Sequence, residues 1–377
     1  MMNPRFSAYL DCVRFLAAIL VVLSHWAYVR FTDGYYLVIR DYNLGSDVVV
    51  IFFVLSGFVI SFAATEKDKT LRRFAFSRMT RLYSVAIPAL LITVLFDNMG
   101  RSVNSPFYDN TPFYNFVELA KFWFQGLTFS NHWSGNALRL GSNGPFWSLS
   151  YEAAYYILFA ILMFTKGLRR ILLLFISALI FGTKILLLAP AWFFGVAAYF
   201  GLKRYSNVNL SKGMRVVLIL LPLMAYIGLQ AARIPVFLRW LTYNGLGPDL
   251  YQSLAFSDEF LWNAIIGGLF TVHLLGVALL LKSARYSFPM ARFWKWAAGA
   301  SFSLYLVHYP VLQYLGAVMP GNVEEIGRQF SILAIVIGFC FVFASLFERP
   351  LPRMRRFVIK LFAKKDTGKL VQSISVE

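Results

Sequence analysis

Two residues of the first apolar stretch, Arg14 and His25, have side chains that can take part in chemistry. They are eleven positions apart, and at about 100° per residue this spacing places them within about 20° of the same helix face. A guanidinium binds anions, whereas an imidazole titrates near neutral pH and can act as a general base or accept an acyl group as a nucleophile. We expect Asp11, one turn before Arg14, to form an ion pair with it.

Two more ionisable residues lie inside apolar stretches, where a charge costs about 2.5–3.5 kcal/mol and is usually functional. Glu152 could orient a histidine, bind substrate hydroxyl groups or neutralise an internal cation. His308 precedes Pro310, which cannot donate a hydrogen bond to the carbonyl of Leu306, so the sequence predicts a helix kink beside the imidazole. The alternative for this His-Tyr-Pro segment is a packing role.

A basic segment carries Arg72, Arg73, Arg78 and Arg81, and we predict that it forms a loop. The forked guanidinium group is well suited to binding phosphate oxygens, so these residues are candidates for binding a phosphorylated substrate. The alternative is that they only mark the cytoplasmic side of a membrane protein. No Gly-rich phosphate loop and no zinc-type histidine spacing is present, so the sequence predicts no metal site.

The helices that position these residues are predicted from composition. The chain has 377 residues, of which 59% are apolar and 14% charged, whereas soluble proteins have about 45–50% and about 25%. The sequence therefore predicts an all-α polytopic membrane protein. Apolar stretches long enough to cross a bilayer predict about ten transmembrane helices, near 9–29, 45–64, 83–97, 147–165, 171–188, 190–202, 215–232, 260–281, 297–319 and 326–347.

The distribution of charge predicts the orientation. Most of the 36 Lys and Arg residues fall in alternate connections between the predicted helices, which favours cytoplasmic N- and C-termini and an outer loop at 98–145. The positively charged cytoplasmic segments account for the net charge of +18, which therefore does not indicate nucleic-acid binding. We predict that the partner of this chain is a lipid bilayer and not a nucleic acid. The chain divides into a membrane domain at 6–350 and a basic cytoplasmic tail at 351–377.

Five motifs follow one another along the chain: Arg14 and His25 with ten residues between them, the segment Phe52 to Ile60, the pair Arg78 and Arg81, the segment Phe146 to Glu152, and the segment Ser303 to Pro310. Together and in this order they resemble the motifs of the acyltransferase 3 family of membrane-bound acyltransferases. The resemblance covers residues 6 to about 350. It is to the stand-alone members of the family, which have no fused extracytoplasmic domain. One departure is that Val50 stands where many members have an acidic residue, with Asp47 one turn earlier.

The resemblance implies an integral membrane O-acyltransferase of the plasma (inner) membrane. Such an enzyme transfers an acyl group, usually acetyl, from cytoplasmic acyl-CoA to a hydroxyl of a surface polysaccharide, O-antigen or glycolipid. Acetyl-CoA is then a donor substrate, no cofactor is tightly bound, and the sequence predicts no particular oligomeric state. The resemblance together with the residue chemistry gives catalytic candidates His25, Glu152 and His308, and donor-binding candidates Arg14, Arg78, Arg81, Arg72 and Arg73.

Two other functions fit the same buried charges. A secondary transporter for a glycolipid or small anion would use Arg14, His25, Glu152 and His308 to line a translocation path, but the chain lacks the expected duplicated halves. A non-catalytic scaffold for polysaccharide assembly would need these residues only for stability.

Overall fold

The computed structural model describes residues 3–110, 112, 114–205, 208, 210–282 and 288–363; the rest of the predicted tail, 364–377, lies outside the described residues. These residues fold into helices, with two isolated β-bridges and no β-strand among them. The longer helices and the tail helix are α1 (Pro4–Trp26), α2 (Leu44–Glu66), α3 (Leu71–Val103), α4 (Trp147–Phe164), α5 (Gly167–Phe181), α6 (Thr183–Arg204), α7 (Lys212–Ala231), α8 (Phe260–Lys282), α9 (Ser301–Val318), α10 (Ile326–Phe343) and α11 (Leu351–Ala363).

Shorter helices connect them. They are Val29–Thr32, Val38–Asp41, Ser105–Asp109, Leu119–Thr128, Ile234–Leu246, Pro248–Ser253 and Ala291–Ala298, with 3-10 turns at Gly144–Phe146 and Ala255–Ser257 and a π-helical turn at Ala344–Glu348.

The all-α polytopic prediction is confirmed. Each of the ten predicted spans overlaps a helix, and eight helices of the described residues are long and apolar enough to cross a membrane. The two that fall short by these measures are α5, with 15 residues, and α9, which carries polar residues such as His308 and Gln313. Ten spans and cytoplasmic termini therefore stay predictions.

The basic segment is helical, so its assignment to a loop is wrong. Helix α3 begins at Leu71, and the side chain of Thr70 accepts a hydrogen bond from the backbone N–H of Arg73, as an N-cap does. Buried Phe74 and Leu82 continue the apolar face of the helix through the basic residues. This helix holds Arg78 and Arg81 three positions apart, and hence on neighbouring parts of one face.

The boundary between the fifth and sixth helices also differs from the prediction, which placed it next to Pro190. Helix α5 ends at Phe181, and Gly182 has a φ of 80°, a conformation that glycine adopts readily. A Cβ at Gly182 would lie 3.0 Å from the backbone of Ser134, so a residue with a side chain would also be too close to its neighbour at this position. Pro190 instead lies inside α6, where the helix continues past it.

Helices α2 and α6 cross in close contact through two glycines. A Cβ at Gly57 would overlap the carbonyl oxygen of Trp192, and a Cβ at Gly195 would overlap that of Val54. Small residues allow helix backbones to approach in this way in membranes. Helix α2 also packs against α1 and carries residues of the site.

Candidate active site

His25 and His308 form a hydrogen-bonded pair between α1 and α9. His25 Nδ1 lies 2.9 Å from His308 Nε2, and His308 Nδ1 lies 2.6 Å from the carbonyl oxygen of Leu304. Because a carbonyl only accepts, His308 Nδ1 must carry the proton, so in a neutral ring Nε2 accepts from His25 Nδ1–H. His25 Nε2 is then left with its lone pair, the form that a general base or nucleophile requires.

Aromatic rings hold His25 in place. The ring of Tyr309 is 4.8 Å from the ring of His25, centre to centre, and the ring of Tyr28 is 5.9 Å away. His25 keeps partial exposure at the end of α1, whereas His308 is fully buried. Of the two imidazoles, His25 is the one that a substrate can reach.

A cavity of about 90 Å³ lies further along the same bundle, toward the N-terminal end of α1. Three of the predicted donor-binding residues line it: Arg14 from α1, and Arg78 and Arg81 from α3. Between Arg14 and His25, buried Ala18 and Val21 fill the interface around α1. The shared helix face therefore joins the cavity to the histidine pair, although the cavity itself ends before His25.

The cavity holds more positive than negative charge close to its arginines. Arg78 pairs with Asp68 at 3.3 Å and donates to Ser77 Oγ at 2.7 Å, while its Nε is buried with no hydrogen-bond partner in the described structure. Arg14 and Arg81 have no carboxylate within 4 Å among the described residues. The predicted ion pair of Arg14 with Asp11 is therefore wrong. Guanidinium groups held in this way can bind an anionic ligand.

Glu152 lines the same cavity from α4 rather than contacting either histidine. Its carboxylate accepts hydrogen bonds from Ser56 Oγ at 2.8 Å and from the hydroxyl of Tyr156, one turn along α4. Ser56 Oγ in turn accepts from Trp192 Nε1 at 3.2 Å. Glu152 is thus not placed to orient a histidine. Its position fits the other two roles, hydrogen bonding to substrate hydroxyl groups inside the cavity and partial neutralisation of the arginines.

Arg72 and Arg73 do not line the cavity. Arg72 is exposed and Arg73 is half-buried on the first turn of α3. The structure thus divides the four arginines into a pair that faces the cavity and a pair that precedes it.

Several residues at the site have no strong sequence signal. Tyr156 could have been found, because it follows Glu152 by four positions on one helix. Ser56, Tyr305 and Tyr309 lie in apolar helices where a hydroxyl is not unusual, and only the packing of α2 and α9 brings them to the site.

Two other carboxylates outside the cavity, buried Asp47 and half-buried Glu348, have structural partners. Asp47 accepts hydrogen bonds from Tyr226 at 2.7 Å, Gln230 at 2.9 Å and Trp262 at 2.9 Å, which joins α2 to α7 and α8. Glu348, in the π-helical turn, accepts from the backbone N–H and hydroxyl of Ser303 at the start of α9. Such contacts satisfy free N–H groups at a helix N-terminus.

The predicted outer loop contains a buried histidine. His132 is 2% exposed, and its ring lies 5.5 Å from that of Phe256. Burial, reinforced by the positive charges of Lys184 and Arg139, lowers its pKa from 6.5 to about 3. The described residues contain no group of three His, Cys, Asp or Glu side chains placed to hold a metal ion.

A comparison with protein families gives one match. A family model described as an acyltransferase domain matches residues 7–346, which run from the first turn of α1 past the end of α10 and include every residue of the histidine pair and the cavity. No curated protein matches the chain, and no solved structure matches it.

Proposed function

Because the chain belongs to the acyltransferase 3 family, we propose that it is a plasma-membrane O-acyltransferase that uses cytoplasmic acetyl-CoA. The acceptor in this proposal is a hydroxyl group of a surface polysaccharide, O-antigen or glycolipid. The observation that carries the proposal is the His25–His308 pair, held at 2.9 Å on the same face of α1 as the arginine-lined cavity. Family membership and the multi-pass helical fold support the coarser assignment, a membrane acyltransferase.

The cavity suits the donor in its charge and in its hydrogen-bonding groups. Coenzyme A has a phosphorylated nucleotide end and a long uncharged arm that ends in the thioester. Arg14, Arg78 and Arg81 would bind the phosphates next to the arm, because guanidinium groups bind phosphate oxygens two at a time. Glu152 and Ser56 supply hydrogen-bonding groups for the amides of the arm. Exclusion of the phosphates from the apolar interior keeps the charged end on the cytoplasmic side.

The chemistry in this proposal uses the free lone pair of His25. His25 Nε2 takes the proton of the acceptor hydroxyl while the hydroxyl oxygen attacks the thioester carbon. The carbon–sulfur bond then breaks, and the coenzyme A thiolate recovers the proton from the imidazolium. In the alternative route, Nε2 attacks the thioester carbon and the coenzyme A thiolate leaves. The acceptor hydroxyl then attacks the acyl-imidazole, which restores His25, and the hydroxyl proton goes to the thiolate. In both routes His308 holds the reactive tautomer of His25.

The function is tested with purified protein in lipid nanodiscs and with the cells that carry the gene. Acetyl-CoA should bind the protein, and His25→Ala should keep this binding while it abolishes transfer to acceptor in native membranes. Mass spectrometry of surface glycans should show loss of an acetyl ester when the gene is deleted. A protein that ignores acetyl-CoA but moves a glycolipid or anion across vesicles would be a transporter instead.

A further inference from the structure

The helix that follows the membrane domain, α11, is docked onto the basic part of α3. Arg355 Nε donates to Thr80 Oγ1 at 2.9 Å, and its Nη2 donates to the carbonyl oxygen of Ser77 at 2.7 Å. Ser77 and Thr80 are the residues immediately before Arg78 and Arg81. A residue of the predicted tail is therefore positioned beside both cavity arginines of α3.

Positive charge accumulates at this contact. Arg355 is close enough to Arg78 and Arg81 to be repelled by both, and it is attracted by the carboxylate of Asp68. Arg355 Nη1 makes no hydrogen bond with any described residue. Three guanidinium groups held together against their mutual repulsion favour binding of an anion with more than one negative charge.

The position of Arg355 relative to the cavity indicates which anion it meets. Arg14, Arg78 and Arg81 line the cavity, whereas Arg355 does not line it and contacts α3 at Ser77 and Thr80. Coenzyme A carries a diphosphate next to its arm and a third phosphate on the ribose 3′-oxygen, further from the thioester. If the arm enters the cavity, the diphosphate meets the lining arginines and the 3′-phosphate stays outside.

We propose that α11 is part of the donor site and that Arg355 binds the 3′-phosphate of coenzyme A. This inference rests on the proposed function, because it takes acetyl-CoA as the donor. Two of the three nitrogens of Arg355 are fixed by α3, so the guanidinium is held in place before the donor binds. The tail helix is then a recognition element rather than only a cytoplasmic anchor.

The chain provides a matched control on the same helix. Arg356, the next residue, has the same charge but is exposed, and it makes no hydrogen bond with the described residues. Arg355→Lys keeps the charge and loses the planar fork that binds two oxygens, so we expect it to recover only part of the affinity.

The experiment measures binding of acetyl-CoA and of 3′-dephospho-acetyl-CoA by calorimetry, with full-length protein in nanodiscs of zwitterionic lipid. Wild-type protein should bind acetyl-CoA about 10–100-fold more tightly than the dephospho compound, as expected for a charged hydrogen bond. Arg355→Ala should weaken acetyl-CoA binding by that factor and leave dephospho-acetyl-CoA binding nearly unchanged. Arg356→Ala should keep the wild-type preference.

The preference for acetyl-CoA over the dephospho compound is a ratio of two affinities measured on the same variant, so partial unfolding of Arg355→Ala does not mimic the expected result. An Arg355→Ala variant that keeps the preference, or a wild-type protein that binds both compounds equally, would overturn the assignment of Arg355. Loss of the wild-type preference in discs with anionic lipid would also overturn it, because lipid phosphates would then occupy Arg355. A wild-type protein that binds neither compound would refute the proposed function itself.

Discussion

Replacement of His308 tests whether the histidine pair sets the reactive form of His25. In the structure, His308 Nε2 accepts the proton of His25 Nδ1–H at 2.9 Å. His308→Leu removes this acceptor and puts an apolar side chain in its fully buried position. His25 is then free to carry its proton on Nε2, the nitrogen that must take the proton of the acceptor hydroxyl.

The expected loss can be estimated from that hydrogen bond. A buried donor that loses its acceptor costs about 1–3 kcal/mol, and this energy no longer holds the reactive tautomer. The corresponding fall in turnover is about 5- to 150-fold, smaller than the 10²–10⁴-fold loss expected for removal of the general base in His25→Ala. Turnover should fall less in His308→Gln than in His308→Leu, because the amide oxygen of glutamine can still accept a hydrogen bond from His25 Nδ1–H.

The assay is transfer from radiolabelled acetyl-CoA to the endogenous acceptor in native membranes, at saturating donor and over a range of donor concentrations. The donor KM should stay close to wild type in both His308 variants, since neither of them changes an arginine of the cavity. Protein amount and thermal unfolding are measured on the same samples. A folded His308→Leu variant with wild-type turnover would show that the pair does not control catalysis.

Three further predictions concern the cavity, the helix crossing and the buried histidine. Arg78→Ala combined with Arg81→Ala should raise the donor KM more than it lowers turnover, because both lose contacts with the phosphates rather than with the reacting carbon; steady-state kinetics measures the two effects. Gly195→Leu should lower the free energy of unfolding by at least about 2 kcal/mol, because its side chain would overlap the backbone of α2, whereas Gly201→Leu, with open space around it on the same helix, should not. His132 stays neutral in the folded protein and takes a proton when the protein unfolds, so the stability of the wild type should fall as the pH drops from about 6.5 toward 3. The stability of His132→Gln should fall less over the same range, and thermal unfolding midpoints measure the difference.

Each of these predictions has a result that would contradict it. A lower turnover with unchanged KM in the double arginine variant would place Arg78 and Arg81 away from the phosphates; Arg72→Ala with Arg73→Ala is the comparison, and it should have a smaller effect. Equal stability of the two glycine variants would show that the close crossing of α2 and α6 is not needed. Parallel pH profiles for wild type and His132→Gln would mean that another group controls acid stability.

The sequence determined the helical membrane fold because its signal is local. A run of about 20 apolar residues has few alternatives to a helix in a bilayer, where every backbone polar group must be paired within the chain. The same regular geometry put Arg14 and His25 on one face of α1, and the high cost of buried charge singled out Glu152 and His308. Motifs spread along the chain were enough to indicate the family that the match over residues 7–346 shows.

Tertiary structure decided which of these residues meet. His25 and His308 are 283 positions apart, and only the packing of α1 against α9 brings their rings together. Packing also separated Glu152 from the histidines and placed Arg355 against α3. The physical reason is that one helix fixes the angle and height of its own side chains, whereas the distance between two helices depends on the small residues that let them approach, such as Gly57 and Gly195.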